Sequence, residues 1–225
     1  DNLNPMDKRM YQMLQFTIWQ KDYLSVGFSD ELEGFRKLKN CENMYNELVE
    51  LLNYNFEKID FIDKPVDLGF DCPLDTYCTY TRDQLLVAMD FMKPNSMREG
   101  VKYLPDKKVD IFMVTLNKSD KDYSPSTMYS DYSINEWLFH WQSQSTTTPE
   151  STTGQRYIHH KERGNKLLLF VREFKNDKFG TAPYTFLGTV NYVKHEGSRP
   201  ISFTFKLDSP IPAKYLKKTN KLVIG

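Results

Sequence analysis

The segment from Asp120 to Gln144 combines residue types that can bind a planar polar ligand. Its twenty-five residues include six Tyr, Trp and Phe rings set among Ser, Asp, Asn, Gln and His, with few aliphatic residues between them. Rings in an ordinary core lie among Leu, Ile and Val, because they are buried for their apolar area. Flat ring faces beside hydrogen-bonding groups are what a nucleobase requires. The segment therefore predicts a pocket for a planar polar ligand, of which a nucleobase is the commonest.

The histidines offer a second kind of chemistry, which is metal-dependent hydrolysis. His159 and His160 are adjacent, and neighbouring residues of a strand point to opposite faces, so these two are poorly placed to chelate one ion. The sequence contains no nucleophile-elbow, P-loop or zinc-protease motif. Phosphate contact or structural hydrogen bonding is the favoured interpretation. An autonomous metal-dependent nuclease that uses His140, His159 or His195 is an alternative.

Composition indicates a globular intracellular module that needs no cofactor or metal. The chain has 225 residues, 40% of them hydrophobic, and no run approaches the roughly 20 apolar residues of a membrane helix. Its three cysteines show none of the paired spacing of a structural zinc site. We therefore expect a cytoplasmic location and no membrane partner. Because the sequence begins at Asp1 without an initiator Met, we also expect it to be one module of a longer polypeptide.

The net charge of zero conceals an uneven distribution. Residues 1–100 contain 11 basic and 18 acidic side chains, whereas residues 101–225 contain 19 basic and 12 acidic ones. From residue 151 onward the basic excess is 14 against 5. Such asymmetry is typical of a protein that faces a polyanion on one side. A solvated basic surface without a partner is the alternative.

Residues 1–100 are predicted to be mainly helical, with an irregular connector over residues 60–80. Apolar residues recur at steps of three and four in two runs, and Thr81 with Gln84 forms a capping-box pattern before a third, short helix. We expect both apolar stripes to belong to the core. They consist of Met6, Met10, Met13, Leu14 and Ile18, and of Cys41, Met44, Tyr45, Leu48, Leu51 and Leu52.

Residues 101–225 are predicted to be rich in β-structure. Apolar runs of strand length cover residues 109–116, 167–174, 184–193 and 201–207, and the last run alternates cleanly between apolar and polar residues. Residues 142–154 are too polar to pack and are expected to form a mobile loop. The predicted class is α+β, with the helical part packed on a curved β-sheet or open barrel.

Six runs of the sequence carry a resemblance to a known family. They are KSDKDYSPSTMY at 118–129, LFHWQSQ at 138–144, GQRYI at 154–158, LFVRE at 169–173, YTFLG at 184–188 and HEGSRPI at 195–201. These runs resemble the C-terminal domains of bacterial helicase-like proteins that carry a phospholipase-D-type nuclease. The similarity is greatest to the target-recognition domains of staphylococcal type IV, modification-dependent restriction endonucleases. This resemblance implies a fold similar to the SET-and-RING-associated (SRA) domain and recognition of 5-methylcytosine in double-stranded DNA.

A base flipped out of the duplex needs rings that stack on it and groups that satisfy its polar edge. In SRA domains an aromatic pair and an Asp that accepts from the cytosine amino group do this. On chemical grounds we expect Asp131 to be that acceptor here, Tyr129 or Tyr132 to be one stacking ring and Trp141 the other. The alternation of Trp137, Phe139 and Trp141 allows another interpretation, in which these rings face the core.

The surface around the predicted pocket supplies candidate contacts to DNA. Basic side chains would bind phosphates, and polar residues of the aromatic segment would lie against the duplex. The candidates are Tyr123, His140, Gln142, Arg156, Lys161, Arg163, Lys194 and Arg199.

The leading hypothesis from the sequence is a DNA-reading module without catalytic activity of its own. The resemblance implies that the ATPase and nuclease active sites lie in other domains of the parent chain, which would be partners of this module. A second alternative is a protein-interaction or coupling element, in which the acidic helical part docks on the helicase.

Overall fold

A computed structural model describes residues 3–59, 64–97, 100–117, 130–213 and 215–216 of the chain. These residues form two compact units whose segments alternate along the sequence. The first comprises Asp1–Pro65, Asp71–Leu74 and Arg82–Ser96. The second comprises Val66–Phe70, Asp75–Thr81 and Met97–Gly225.

The first unit is helical, as its sequence predicts. The side chain of Asn4 accepts a hydrogen bond from the backbone N–H of Asp7, and Pro5 occupies the first helical position, so the chain enters the first helix with its end capped. Arg9 binds Asp90 at 2.7 Å, which links this helix to the segment after the fifth. The helices are α1 (Pro5–Trp19), α2 (Tyr23–Val26), α3 (Glu33–Lys39), α4 (Glu42–Glu57) and α5 (Arg82–Ala88). None of the helices in the described ranges has both the length and the apolar character needed to span a membrane.

The predicted core stripe of α4 is wrong, because no residue of this helix is buried. Met44, Leu51 and Leu52 are between 46% and 60% exposed. The period of the sequence shows that these side chains share one face of the helix, but period alone does not show that another element covers that face. Helix α4 packs against α3 and leaves its apolar side in solvent.

The second unit is built on a mixed sheet, which confirms the α+β class. Eight strands of the described residues form it: β1 (Thr79–Tyr80), β2 (Val101–Leu104), β3 (Val109–Thr115), β4 (Tyr132–Ser133), β5 (Leu138–Gln142), β6 (Lys166–Arg172), β9 (Tyr184–Glu196) and β10 (Ser202–Leu207). Their order is β2-β3-β6-β9-β10-β5-β4, with β1 also paired to β9. Strands β3 and β6 are parallel, and the other pairs are antiparallel. A separate hairpin pairs β7 (Asn176–Asp177) with β8 (Gly180–Thr181), and α6 (Thr152–Ile158) follows β5.

Strand β9 is long enough to pair with β6 along one part of its length and with β10 along another. Its first half pairs with β6, and its second half pairs with β10. The register with β6 shifts between Leu169 and Phe170, where Gly188 has a φ of 91° on the facing strand. A side chain would be strained at that angle, whereas glycine adopts it freely and allows a bulge that bends the strand.

Aromatic rings from several strands fill the core of the second unit. Phe112 of β3 stacks on Trp141 of β5 at 4.3 Å between ring centroids, and Phe203 of β10 lies 5.8 Å from Trp141. Tyr157 of α6 meets Phe112 edge to face and is fully buried. These contacts fix the inward face of β5 and β10 and hold α6 against it.

The polar segment after β5 is packed, so the expectation that residues 142–154 are too polar to pack is wrong. Ser143 is fully buried: its backbone N–H donates to the carbonyl of Ile201, and its hydroxyl accepts from the Ile201 N–H, each at 2.9 Å. Arg199 donates its N–H to the carbonyl of Thr147 at 3.1 Å. Ser151 then caps α6. Hydrogen bonds to the neighbouring loop therefore take the place of apolar contacts in ordering this segment.

His160 is a structural histidine whose two ring nitrogens are both used. Its Nδ1 donates to the carbonyl of Asn165 at 3.2 Å, and its Nε2 accepts from the backbone N–H of Tyr192 at 3.1 Å. A second ring proton would face the Tyr192 N–H directly. Burial lowers the pKa of His160 below its ordinary value of 6.5.

We expect this histidine to make folding stability depend on pH. The unfolded chain takes up a proton near pH 6.5 and the folded chain only at lower pH, so the contribution is complete above about pH 6.5 and is lost as the pH falls. Urea unfolding between about pH 7.5 and 5.5 measures the effect. The substitution His160→Gln should flatten the dependence, whereas the exposed control His159→Gln should retain it. An unchanged slope in His160→Gln would contradict this account.

Candidate nucleic-acid interface

The alternation of β5 divides its side chains between two environments. Phe139 and Trp141 face the core, whereas His140 and Gln142 lie on the other face. Trp141 is 4% exposed and has Phe112 and Phe203 against its ring, so a base stacking on it would have to displace a core residue. The structure thus makes Trp141 a core residue, which corrects its assignment to the pocket. The core interpretation also holds for Phe139, but not for Trp137, which is 40% exposed.

The outward face of β5 continues across the two neighbouring strands. Tyr132 and Thr204 both lie opposite His140, and Lys194 lies opposite Thr204. Residues that face each other in an antiparallel pair project to the same side of the sheet. A second row contains Gln142, Ser202 and Glu196. We call this surface the polar face; its members are Tyr132, His140, Gln142, Lys194, Glu196, Ser202 and Thr204.

Three hydrogen bonds hold Ser130 and Asp131 against β5, and a fourth joins β5 to β10. The backbone N–H of Ser130 donates to Gln142 Oε1 at 2.7 Å, and the Ser130 carbonyl accepts from His140 Nδ1 at 2.7 Å. The carboxylate of Asp131 accepts from the Gln142 backbone N–H at 2.9 Å, and Gln142 Nε2 donates to the Ser202 hydroxyl at 3.3 Å. This last hydrogen bond connects the Gln142 side chain to β10. Asp131 is only 4% exposed, so its carboxylate is both buried and fixed in direction.

Tyr132, the residue after Asp131, forms a stacked pair with His140. Their ring centroids are 4.7 Å apart, and the ring planes differ by 15°. Because His140 Nδ1 donates to Ser130, its Nε2 is the nitrogen available to accept a hydrogen bond in the neutral ring. Both rings are half-buried, so each keeps part of its surface toward solvent. The structure therefore brings together four predicted residues: Asp131, Tyr132, His140 and Gln142.

Two other predicted residues, Tyr123 and Tyr129, lie outside the described residues. Their assignments as a DNA contact and a stacking ring stay predictions.

Exposed basic side chains flank the polar face and the turn after α6. Lys194 is a member of the polar face and lies 3.1 Å from Glu196, while Arg199 is exposed in the connection from β9 to β10. Lys161 and Arg163 are exposed on the turn between α6 and β6. All four are accessible to a polyanion, as the sequence suggests.

Arg156, in contrast, is placed in the interior. Its Nε donates to both carboxylate oxygens of Asp110 at 2.9 and 3.0 Å, and its guanidinium lies 3.9 Å above the Tyr103 ring. Burial raises the pKa of Asp110, and the Arg156 guanidinium opposes that effect. The pair fastens α6 to β3, so the assignment of Arg156 as a DNA contact is corrected to a structural role.

A cavity of about 330 Å³ lies beside the turn after α6, and none of Asp131, Tyr132, His140 and Gln142 lines it. Its walls include His160, Lys161 and Asp208, and no Tyr, Trp or Phe ring lines it in the part of the chain that the structure describes. The Asp208 carboxylate accepts from Thr189 at 2.5 Å and from Asn191 at 2.6 Å. Without a ring to stack on, a flipped base fits this cavity poorly.

Two of the histidines considered for a metal-dependent nuclease contact different neighbours. His159 contacts Glu162 at 2.8 Å, and His195 contacts the hydroxyl of Tyr192 at 2.8 Å. Within the described ranges, no group of three or more His, Cys, Asp or Glu side chains is placed to hold a metal ion.

Some of the contacts that were not predicted from the sequence nevertheless have a signal in it. The alternation over residues 201–207 already places Ser202 and Thr204 on the polar side of β10, but only the strand order shows that this side adjoins His140 and Gln142. A lone Asp within the apolar run of β3 was the signal for a buried ion pair. The role of Ser130 depends on its backbone, so its residue type carried no signal.

Comparison of sequences places the chain in a family. It belongs to the family described as Domain of unknown function (DUF3427), which matches residues 74–218. No curated protein matches the chain.

Solved structures similar to this chain include two of KRYPTONITE and one of SUVH6. KRYPTONITE in complex with mCHG DNA and SAH is 12% identical, with a TM-score of 0.46, over 94% of this chain and 45% of that chain. KRYPTONITE in complex with mCHH DNA, H3(1-15) peptide and SAH is 12% identical, with a TM-score of 0.47, over 99% and 46%. Arabidopsis thaliana SUVH6 in complex with SAM is 10% identical, with a TM-score of 0.40, over 94% and 38%. This chain thus spans less than half of each solved chain.

We expect the substitution Arg156→Met to destabilise the fold strongly. It leaves the Asp110 carboxylate buried without its guanidinium, which costs about 3–5 kcal/mol in the free energy of unfolding. The control Lys194→Met breaks an exposed ion pair and should cost less than about 1 kcal/mol. Urea unfolding at neutral pH compares the two variants. Equal, small losses in both would contradict the structural role of Arg156.

Proposed function

We propose that this domain binds double-stranded DNA containing 5-methylcytosine and reads the modified base after flipping it out of the duplex. The observation that carries the proposal is a cluster at β5, in which the buried carboxylate of Asp131 is held by the Gln142 backbone and the next residue, Tyr132, stacks on His140. The family resemblance of the sequence agrees with this chemistry.

The cluster offers the groups that a flipped cytosine requires. The exocyclic amino group of cytosine is a donor, and a carboxylate accepts from it. The Gln142 backbone N–H fixes the direction of the Asp131 carboxylate, so little orientational freedom is lost when a base binds. Tyr132 is the described ring nearest to this carboxylate in sequence and supplies a flat face for stacking. Extruding a base costs a few kcal/mol, which stacking and the polar contact must together offset.

The surrounding charges suit binding to the DNA backbone. Lys194 and Arg199 lie near the polar face, and Lys161 and Arg163 extend the basic surface beyond it. Their ammonium and guanidinium groups would contact phosphates and fix the position of the duplex without reading its sequence. Binding should therefore weaken steeply as the salt concentration rises.

We infer that the domain acts within a longer protein. The resemblance supports a parent chain in which this domain directs an ATP-dependent restriction nuclease, with the helicase and nuclease domains as its partners in the cytoplasm. In this proposal the domain itself is a reader without catalytic activity. The KRYPTONITE structures contain methylated DNA by their own descriptions, and the proposal concerns the same class of ligand.

The proposal predicts that the chain binds a methylated duplex more tightly than an unmethylated duplex of the same sequence. Fluorescence-anisotropy titration at a fixed salt concentration measures both affinities. The substitution Asp131→Asn keeps the shape of the side chain and the bond from Gln142 but weakens the acceptor. It should reduce affinity for the methylated duplex by roughly 10- to 100-fold, since a hydrogen bond to a charged group contributes about 1.5–3 kcal/mol.

The matched control is Glu196→Gln, which changes an exposed acidic residue of the polar face. It should leave the preference for methylated DNA unchanged. Equal affinity of the unsubstituted chain for both duplexes would refute methyl reading. A preserved preference in Asp131→Asn would instead refute only the assignment of the pocket.

A further inference from the structure

Helix α4 presents an apolar face that stays exposed among the residues that the structure describes. Phe56 is 75% exposed and Met44 is 60% exposed. The other large apolar side chains on or beside the helix that are at least one-third exposed are Tyr45, Leu51, Leu52, Tyr54 and Ile59.

Helix α4 has little local stabilisation to compensate for the exposure of these apolar side chains. Its N-cap residue, Cys41, makes no side-chain capping bond, and its last turn carries no basic residue to complement the helix dipole. A helix of 16 residues is only marginally stable in water and normally depends on packing of its apolar face. A partner for this face is therefore expected on physical grounds.

The spacing of the apolar residues resembles that of a helix pair. Positions 41, 45, 48, 52, 55 and 59 follow each other at alternating steps of four and three, the spacing of a coiled-coil seam. All of them except Asn55 are apolar, and the first and last flank the ends of the helix. Four apolar residues widen this seam on its two sides, two on each side. They are Met44, Val49, Leu51 and Phe56.

The charges of the helix favour a second copy as the occupant. Glu47, Glu50 and Glu57 lie on the side of the helix opposite the seam, at a helical period of 3.6. Two such helices can therefore meet seam to seam with these three charges kept apart. The fourth glutamate, Glu42, flanks the seam and lies level with Lys58 of an antiparallel second copy. A basic partner would be attracted to the glutamate side and would leave the apolar face exposed.

We propose that α4 pairs with α4 of a second copy of the chain in an antiparallel, two-fold symmetric interface. In an antiparallel pair centred on Glu50, residues equidistant from the centre face each other, so Leu48 of one copy meets Leu52 of the other. Tyr45 then meets Asn55, whose amide gains the phenol hydroxyl as a hydrogen-bond partner. The same surface serves both copies, as two-fold symmetry requires.

The size of the interface sets the expected strength of pairing. The exposed side chains of α4 present on the order of 600 Å² of apolar surface per copy, somewhat less than the roughly 800 Å² that each partner buries in a standard interface. We therefore expect a reversible dimer whose population depends on protein concentration. This inference is independent of the DNA-binding proposal.

Sedimentation equilibrium of the chain over a range of concentrations tests the pairing. The expected result is a monomer–dimer equilibrium, and a monomer at every concentration would overturn the proposal. The substitution Leu52→Glu, on the seam, should weaken dimerisation at least about 10-fold, which corresponds to about 1.4 kcal/mol. The control Asn53→Glu adds the same charge on the far face and should leave the dimer intact.

Circular dichroism of both variants verifies that the helix content is kept. If Asn53→Glu weakens the dimer as much as Leu52→Glu does, the seam is not the interface and the proposal fails.

Disulfide trapping tests the direction of the pair. In a Cys41→Ser background, the combination of Tyr45→Cys with Asn55→Cys should form a covalent dimer under mild oxidation, whereas Tyr45→Cys alone should not. A covalent dimer from Tyr45→Cys alone would indicate parallel helices and would overturn the antiparallel arrangement.

Discussion

The stacked rings of Phe112, Trp141 and Phe203 determine which side of β5 faces inward. Once Trp141 lies between its two neighbours, the period of two in a strand turns His140 and Gln142 outward. Those two side chains then hold Ser130 through two hydrogen bonds, and the backbone N–H of Gln142 holds the carboxylate of Asp131. The core and the candidate site are therefore two faces of the same strand, and neither face can shift without the other.

Much of this arrangement follows from local sequence patterns. The strand runs and the clean alternation of β10 predicted the sheet and its polar side, because burial of one face imposes a period of two. The roles of Trp141 and Arg156 did not follow, since a ring or a guanidinium has the same residue type in a core as in a binding site. Their partners, Phe112 and Asp110, are more than twenty-five residues away in sequence, and only the strand order brings them together.

Helix α4 shows that an apolar face can be predicted from the sequence more easily than the element that covers it. Its period shows which residues share a face, but burial of that face needs a covering element, and none is found among the described residues. An apolar stripe shows that a surface seeks a partner, and the partner need not belong to the same chain. The buried Asp131 presents the reverse case, in which a polar group is taken out of water and held by a backbone donor. A sequence predicts residue types on a face more readily than it predicts what meets that face.

The proposed recognition of 5-methylcytosine rests on the fixed carboxylate of Asp131, the ring of the next residue, Tyr132, and exposed basic side chains that suit binding to DNA. The most direct measurement is a crystal structure of this chain bound to a short duplex with one central 5-methylcytosine. The account predicts that the methylated base lies outside the duplex, with its amino group within hydrogen-bonding distance of Asp131 and its ring against Tyr132. A methylated base that remains stacked in the duplex, or that occupies a pocket away from Asp131, would contradict it.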